Sequence, residues 1–134
     1  MPGSFLDSNI ILYLASGQQA KADRAEELVA GGGTISVQVL NEIANVSRRK
    51  MGMSWVETRN LLLIVRGLLN VEPVTIEIHD AGIDLAERYH LSVYDGMIAS
   101  AALLAECDIL FSEDLQHGLV INGRLRIVNP SRTT

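Results

Sequence analysis

Little in this sequence would staple, anchor or broadly charge a protein. It holds one cysteine, so no internal disulfide can form. Cys107 lies in an apolar stretch and reads as small core packing, which suits a reducing cytoplasm. No long hydrophobic run is present. The most apolar stretch, Met97 to Ala105, falls far short of the roughly 18 residues a spanning helix needs, so no membrane association is expected. The N-terminus lacks a basic segment, and Asp7 falls where the apolar part of a secretory leader would lie, so no leader is expected either. Basic residues are scarce: 11 Lys and Arg against 16 Asp and Glu give a net charge of -5. A generic nucleic-acid binder that works through surplus positive charge is thereby disfavoured. The objection weakens if four of the acids are gathered in one cation site, which would leave the remainder near neutral.

What remains is an apolar chain of ordinary domain length. It has 134 residues, 48% of them hydrophobic, with a mean hydropathy of +0.21. Such a chain can bury a full core, or it leaves apolar surface for a partner to cover. No linker, repeat or low-complexity tract interrupts it, and a single domain over residues 1–134 is expected.

Short apolar runs alternate with helical stretches. Phe5-Leu6 opens a strand that ends at Asp7, and helical segments are expected over about 8–14 and 18–30. Thr34-Ile35-Ser36 is a second strand, followed by a helix through Glu42 to about Lys50 that stops at Gly52. Ser54-Trp55-Val56-Glu57 is a capping-box pattern starting a helix to about Leu69. Residues 71–74 read as extended. Thr75 then caps a helix with Ile78, Ala81, Leu85 and Tyr89 along one face. Ser92 starts the helix of Asp95. Ile109 to Phe111 and Leu125 to Val128 are further strands, and Pro130 is expected to prevent more helix. This alternation predicts an α/β fold, with a mainly parallel sheet of short strands covered by helices on both faces.

In such sheets, sites form outside the carboxyl ends of the strands. Asp7 ends the first strand, Glu42 lies within two turns of the second, and Asp114 follows Ile109 to Phe111. Asp95 begins an almost uncharged helix, from which a carboxylate can face the rim. Four carboxylates at one rim repel each other unless a divalent cation sits among them. Mg²⁺ prefers oxygen ligands, and one or two carboxylates with water and phosphate suffice to hold it. Such an ion promotes phosphodiester hydrolysis.

Four motifs make the resemblance specific. Phe5-Leu6-Asp7-Ser8-Asn9 resembles the first motif of PIN-domain nucleases, and Ser36 with Glu42 resembles the second. Tyr94-Asp95 followed by Met97-Ile98-Ala99-Ser100-Ala101-Ala102 is similar to the family's Asp-led, alanine-rich helix. Leu110-Phe111-Ser112-Glu113-Asp114 resembles its strand followed by Thr/Ser-x-Asp. The match runs in order along nearly the whole chain. The resemblance implies a three-layer α/β/α sandwich with a short, mainly parallel central sheet. It implies a Mg²⁺ or Mn²⁺ site in which Asp7, Glu42, Asp95 and Asp114 are the catalytic, metal-binding acids, with Asn9, Ser36 and Ser112 orienting them. Glu113 is a weaker candidate than Asp114. Single-domain chains of this kind resemble VapC-like toxins, which cut RNA, are silenced by a small antitoxin protein, and are expected as homodimers.

Each of these residues also has an ordinary reading. Asp7-Ser8-Asn9 makes a good helix cap, Asp95 suits a helix dipole, Glu42 can be a solvated helix residue, and Glu113-Asp114 a surface turn. Arg48-Arg49-Lys50, the one basic cluster, suits a helix C-terminus. Arg49 nevertheless shares a face with Glu42 and is the candidate for a contact with an RNA phosphate. Trp55, Leu62, Val65 and Leu69 recur at helical spacing and read as core, with a groove for a partner helix as the alternative. His79, His90 and His117 show no metal-ligand spacing. Among other functions, a housekeeping RNA-processing nuclease or a non-catalytic PIN-like module would share the fold. A phosphoacceptor receiver would need adjacent acids after the first strand and a late lysine, whereas only Asp7 ends that strand and no lysine follows Lys50.

Overall fold

The structure, a computed structural model, describes residues 3–132, so the four outermost residues of the expected domain lie outside it. The chain forms a three-layer α/β/α sandwich around one sheet of six strands. In order the elements are β1 (Gly3–Leu6), α1 (Ser8–Leu12), a 3₁₀ turn at Tyr13–Ala15, α2 (Gln19–Ala30), β2 (Thr34–Ser36), α3 (Val37–Arg49) and α4 (Trp55–Leu68). Then follow β3 (Asn70–Glu72), α5 (Ile76–Tyr89), α6 (Val93–Leu104), β4 (Cys107–Phe111), β5 (Val120–Ile121), β6 (Leu125–Val128) and a 3₁₀ turn at Pro130–Arg132.

The sheet order is β3-β2-β1-β4-β6-β5. All neighbours run parallel except the β5–β6 pair. Successive side chains of a strand face opposite sides. Phe5 and Leu6 of β1 are both fully buried, as are Ile35 and Ser36 of β2, so the sheet centre is covered on both faces. From β1 the chain moves out to β2 and β3, then returns to β4 on the other side. The reversal of strand order therefore falls between β1 and β4, where the outgoing loops diverge and leave a crevice.

The helix starts follow the expected chemistry. Ser54 and Glu57 form a complete capping box. Thr75 and Ser92 each cap their helix through the side-chain oxygen. Helix α6 is buried continuously from Gly96 to Ala102, which explains why it carries no charge after Asp95.

Several expectations need correction. The buried face of α5 is Ile78, Gly82 and Leu85, not Ala81, which is exposed. The reason is close packing: a Cβ on Gly96 would lie 2.3 Å from the Gly82 carbonyl oxygen, so α5 and α6 meet at two glycines. Trp55 is not core; it is 61% exposed, whereas Val65 and Leu69 are buried. The strand β5 was not anticipated. Its two residues are too few to show alternation, but the turn that pairs it with β6 carries Asn122 and Gly123, both at positive φ (53° and 67°). Pro130 begins a short 3₁₀ turn instead of ending helix altogether; proline fits a first helical position because its missing N–H has no partner there.

Candidate metal centre

The candidate acids flank the crevice at the ends of β1 and β4. The backbone extends the sheet beyond both strands: Asp7 N–H donates to the Phe111 carbonyl (3.0 Å), and Ser112 N–H to that of Val128 (3.0 Å). Asp7 thereby leaves β1 in register with the end of β4 and is buried, 3% exposed. Its Oδ1 accepts from Ser8 N–H (2.8 Å) and its Oδ2 from the Ser112 hydroxyl (2.8 Å). Burial still dominates over these two bonds, and the charges of Glu42 and Asp95 add to it. Together they push the Asp7 carboxyl up to about 6.

Ser112 is the hub of the β4 side. While donating to Asp7, its Oγ accepts from the backbone N–H groups of Asp114 (3.2 Å) and Leu115 (3.3 Å), which fixes the turn presenting the exposed Asp114. Asn9 braces the same turn by accepting from Glu113 N–H (3.2 Å), and its amide lies 3.5 Å from Asp7 Oδ2. On the other side α3 brings up the half-buried Glu42. Its Oε1 accepts from the Ser8 hydroxyl (2.9 Å) and its Oε2 from the Gln38 amide (3.2 Å). Asp95 stands in the first turn of α6, partly buried. Burial raises its carboxyl, as does the charge of Asp114, against the hydrogen bond from Ser92.

Asp7, Glu42, Asp95 and Asp114 are thus joined through Ser8, Ser112 and mutual repulsion. Among the described residues none of the four is ion-paired with Lys, Arg or His. Nor do any three or more His, Cys, Asp or Glu side chains among the described residues lie close enough together to hold a metal ion by themselves. A magnesium-type ion does not require a complete ligand set from the protein, since water and phosphate oxygens fill most of its shell. An all-oxygen, uncompensated donor set, in which a carboxyl is pushed up by burial and further by its acidic neighbours, fits such an ion.

Ser36 is not joined to this network. It lies buried at the end of β2, and its Oγ has no hydrogen-bond partner in the protein. Glu113 is turned away from the acids. It accepts from the Tyr13 and Ser131 hydroxyls and pairs with Lys21 at 3.4 Å. Partial burial pulls its carboxyl up, but Ser131, Tyr13 and Lys21 together outweigh that and hold it below the usual carboxylate range. His117 accepts a hydrogen bond at Nδ1 from Asn129 N–H (2.9 Å), a local structural contact.

Sequence reasoning missed Ser8 and Gln38 as partners of Glu42. Gln38 was legible as the residue one helical turn before Glu42. Ser8 was hidden by its equally good role as a cap residue. Lys21 lies 92 residues from Glu113 and gave no signal in the sequence.

The PIN domain family model matches residues 4–119. Compared by sequence with curated proteins, the chain matches none. Among solved structures, a toxin-antitoxin complex from Klebsiella pneumoniae is similar, with TM-score 0.72 and 18% identity over 95% of this chain and 97% of that one. The sarcin-ricin loop cleaving toxin VapC20 of Mycobacterium tuberculosis gives TM-score 0.65 and 18% identity, covering 83% of this chain and 91% of that one. DNA-bound VapBC from Salmonella typhimurium gives TM-score 0.61 and 20% identity, covering 95% and 97%.

Proposed function

The chain belongs to the PIN domain family, and from that premise we propose that it is a metal-dependent endoribonuclease, the toxin of a toxin–antitoxin pair. The observation that carries the proposal is four acids without a basic partner at the strand-order reversal, with Asp7, Glu42 and the Asp114 turn tied together through Ser8 and Ser112 and Asp95 coupled to Asp7 and Asp114 by charge. Asp7, Glu42, Asp95 and Asp114 would hold Mg²⁺ or Mn²⁺. When bound, the ion supplies positive charge to the scissile phosphate and acidity to a water molecule. The protein's own part is to hold the donors still. Ser112 fixes Asp7 and the Asp114 turn, while Ser8 and Gln38 hold both oxygens of Glu42. In the absence of a cation, the raised Asp7 carboxyl carries a proton at mildly acidic pH and so relieves the repulsion. Arg49, exposed at the end of α3, is the residue proposed to meet a phosphate of the substrate RNA.

The toxin reading draws support from the solved relatives, which include toxin-antitoxin complexes and a toxin that cleaves the sarcin-ricin loop. It also draws on exposed apolar side chains such as Leu63, Ile64 and Ile76, at 63%, 58% and 77% exposure. An antitoxin protein and a second copy of the chain are the partners proposed for that surface. No helix among the described residues is long and apolar enough to cross a membrane, and the one thiol is buried and free; a cytoplasmic site of action is proposed on that basis.

The test is incubation of purified protein with a mixed RNA pool. Cleavage is expected with Mg²⁺ or Mn²⁺ and none with excess EDTA. Cleavage that persists in EDTA, with contaminating nuclease excluded, contradicts the proposal. Growth arrest on expression, relieved by co-expressing the neighbouring gene's product, separates a toxin from a housekeeping nuclease.

A further inference from the structure

A second feature lies along α3, beyond the acids. Trp55 is 61% exposed although it is the largest apolar residue in the chain. It is not loose. The Arg48 guanidinium lies over its ring, 4.3 Å from the centroid, and Arg48 is itself tied to the Met53 carbonyl. Helix α3 ends at Arg49, and the turn through Gly52 (φ 66°) folds the start of α4 back so that this stack can form. One indole face is therefore covered by a cation, and the exposed remainder of the ring faces solvent. The groove beside it, about 470 Å³, is lined by Ala44, Asn45, Arg48, Arg49 and Trp55. A second groove, about 360 Å³, shares Asn45 and runs on to Glu42 and the 65% exposed Tyr94. Glu42 and Arg49 are seven residues apart, which is roughly 10 Å along the helix.

We propose that this groove is a base-stacking subsite for single-stranded RNA. One base lies on the exposed part of the Trp55 ring, Arg49 meets the adjoining phosphate, and the strand passes Asn45 and Tyr94 to the acids. The proposal rests on the nuclease reading above and names how that site would take its substrate. Indole faces accept any base, and a guanidinium behind the ring strengthens the platform. The lining favours a polyanion over a protein partner. Arg49 makes no ion pair among the described residues, so its charge is free for a phosphate. The groove also adjoins, through Asn45, the groove that reaches Glu42, whereas apart from the adjacent Val56 the exposed apolar residues of α4, Leu63, Ile64 and Leu68, begin two turns beyond Trp55. A chain with net charge -5 has few other places to hold RNA, which answers how an acidic protein would do so.

Trp55 is the only tryptophan, so its emission reports on this groove alone. The experiment titrates the full chain with a single-stranded oligoribonucleotide of mixed sequence and with the matched RNA duplex, in EDTA and again in Mg²⁺. Labelled-RNA anisotropy is read in parallel. Single strands should quench Trp55 and the duplex, whose base faces are hidden, should not. Trp55→Ala should weaken single-strand binding roughly tenfold or more. Trp55→Phe should restore most of it, and Arg49→Gln should reduce the salt dependence. Thermal melts confirm that each variant is folded. RNA that is bound or cut without quenching, and with unchanged affinity in Trp55→Ala, overturns the subsite and leaves the nuclease reading standing. Emission that follows protein concentration, with loss of a dimer in Trp55→Ala by sedimentation, overturns it in favour of a second copy. Neither binding nor cleavage of any RNA overturns both readings together.

Discussion

The Asp7 carboxyl lies in the crevice with its pKa pushed up to about 6, chiefly by burial, while in the unfolded chain it titrates near 3.8. A folded-state value above the unfolded one means that the folded protein holds the proton more tightly. The associated stability is fully present below about pH 4 and is lost as pH rises through about 6. Asp7→Asn removes that dependence. In EDTA, urea melts from pH 4 to pH 7 should show wild type losing stability relative to Asp7→Asn, by something on the order of 3 kcal/mol. Parallel profiles would mean that Asp7 is not held in this environment. At this scale the sequence was legible where a residue's chemistry is tied to a strand end. Asp7, Asp114 and Glu42 stand where the alternation of elements put them. Contacts that depend on tertiary approach were not legible. Ser36 reads as a partner of the acids but is buried without a hydrogen-bond partner of its own. Glu113, adjacent to Asp114, is claimed instead by Tyr13, Lys21 and Ser131 from distant segments.

Helix α6 supplies Asp95, and what positions it is its crossing with α5. Gly96 allows the approach: a Cβ there would sit 2.3 Å from the Gly82 carbonyl oxygen and 3.1 Å from the Ala86 Cβ. Neither backbone nor a helical Cβ can yield cheaply. At Gly82, by contrast, an added Cβ would meet mainly the far end of the Met97 side chain, at 2.8 Å from its sulfur, and that chain can turn away. Gly96→Ala should therefore destabilise by roughly 1–3 kcal/mol or more. Gly82→Ala should cost distinctly less, since the gain of a better helix former offsets part of the clash. Denaturant melts rank the two, and equal effects would contradict this packing. Helix starts were legible in the sequence because caps are local chemistry; Ser54, Thr75 and Ser92 all act as their side chains predict. The α5 face was misjudged because periodicity counts apolar side chains. At this crossing the buried residue is a glycine, chosen for having none.

For the whole molecule, the alternation of strands and helices made the fold class legible. It did not reveal the antiparallel β5, which is only two residues long and pairs at the sheet edge beyond β6. Nor did it reveal that Trp55 lies outside the core, since helical spacing alone cannot tell which stripe of α4 faces inward. The central claim is that four acids from four separate segments form one cation site, and thermal melting of the entire chain reads that directly. Wild type and Asp95→Asn are melted in EDTA and in Mg²⁺ or Mn²⁺. Asp95 is raised by burial and by Asp114, so removing its charge should leave apo stability unchanged or slightly higher. Wild type should gain about 1.4 kcal/mol at a metal concentration roughly ten times Kd, a rise of several degrees in Tm, and the variant should lose most of that gain. A destabilised Asp95→Asn together with a wild type indifferent to metal would mean that Asp95 only serves its helix start, and that these acids do not form a site.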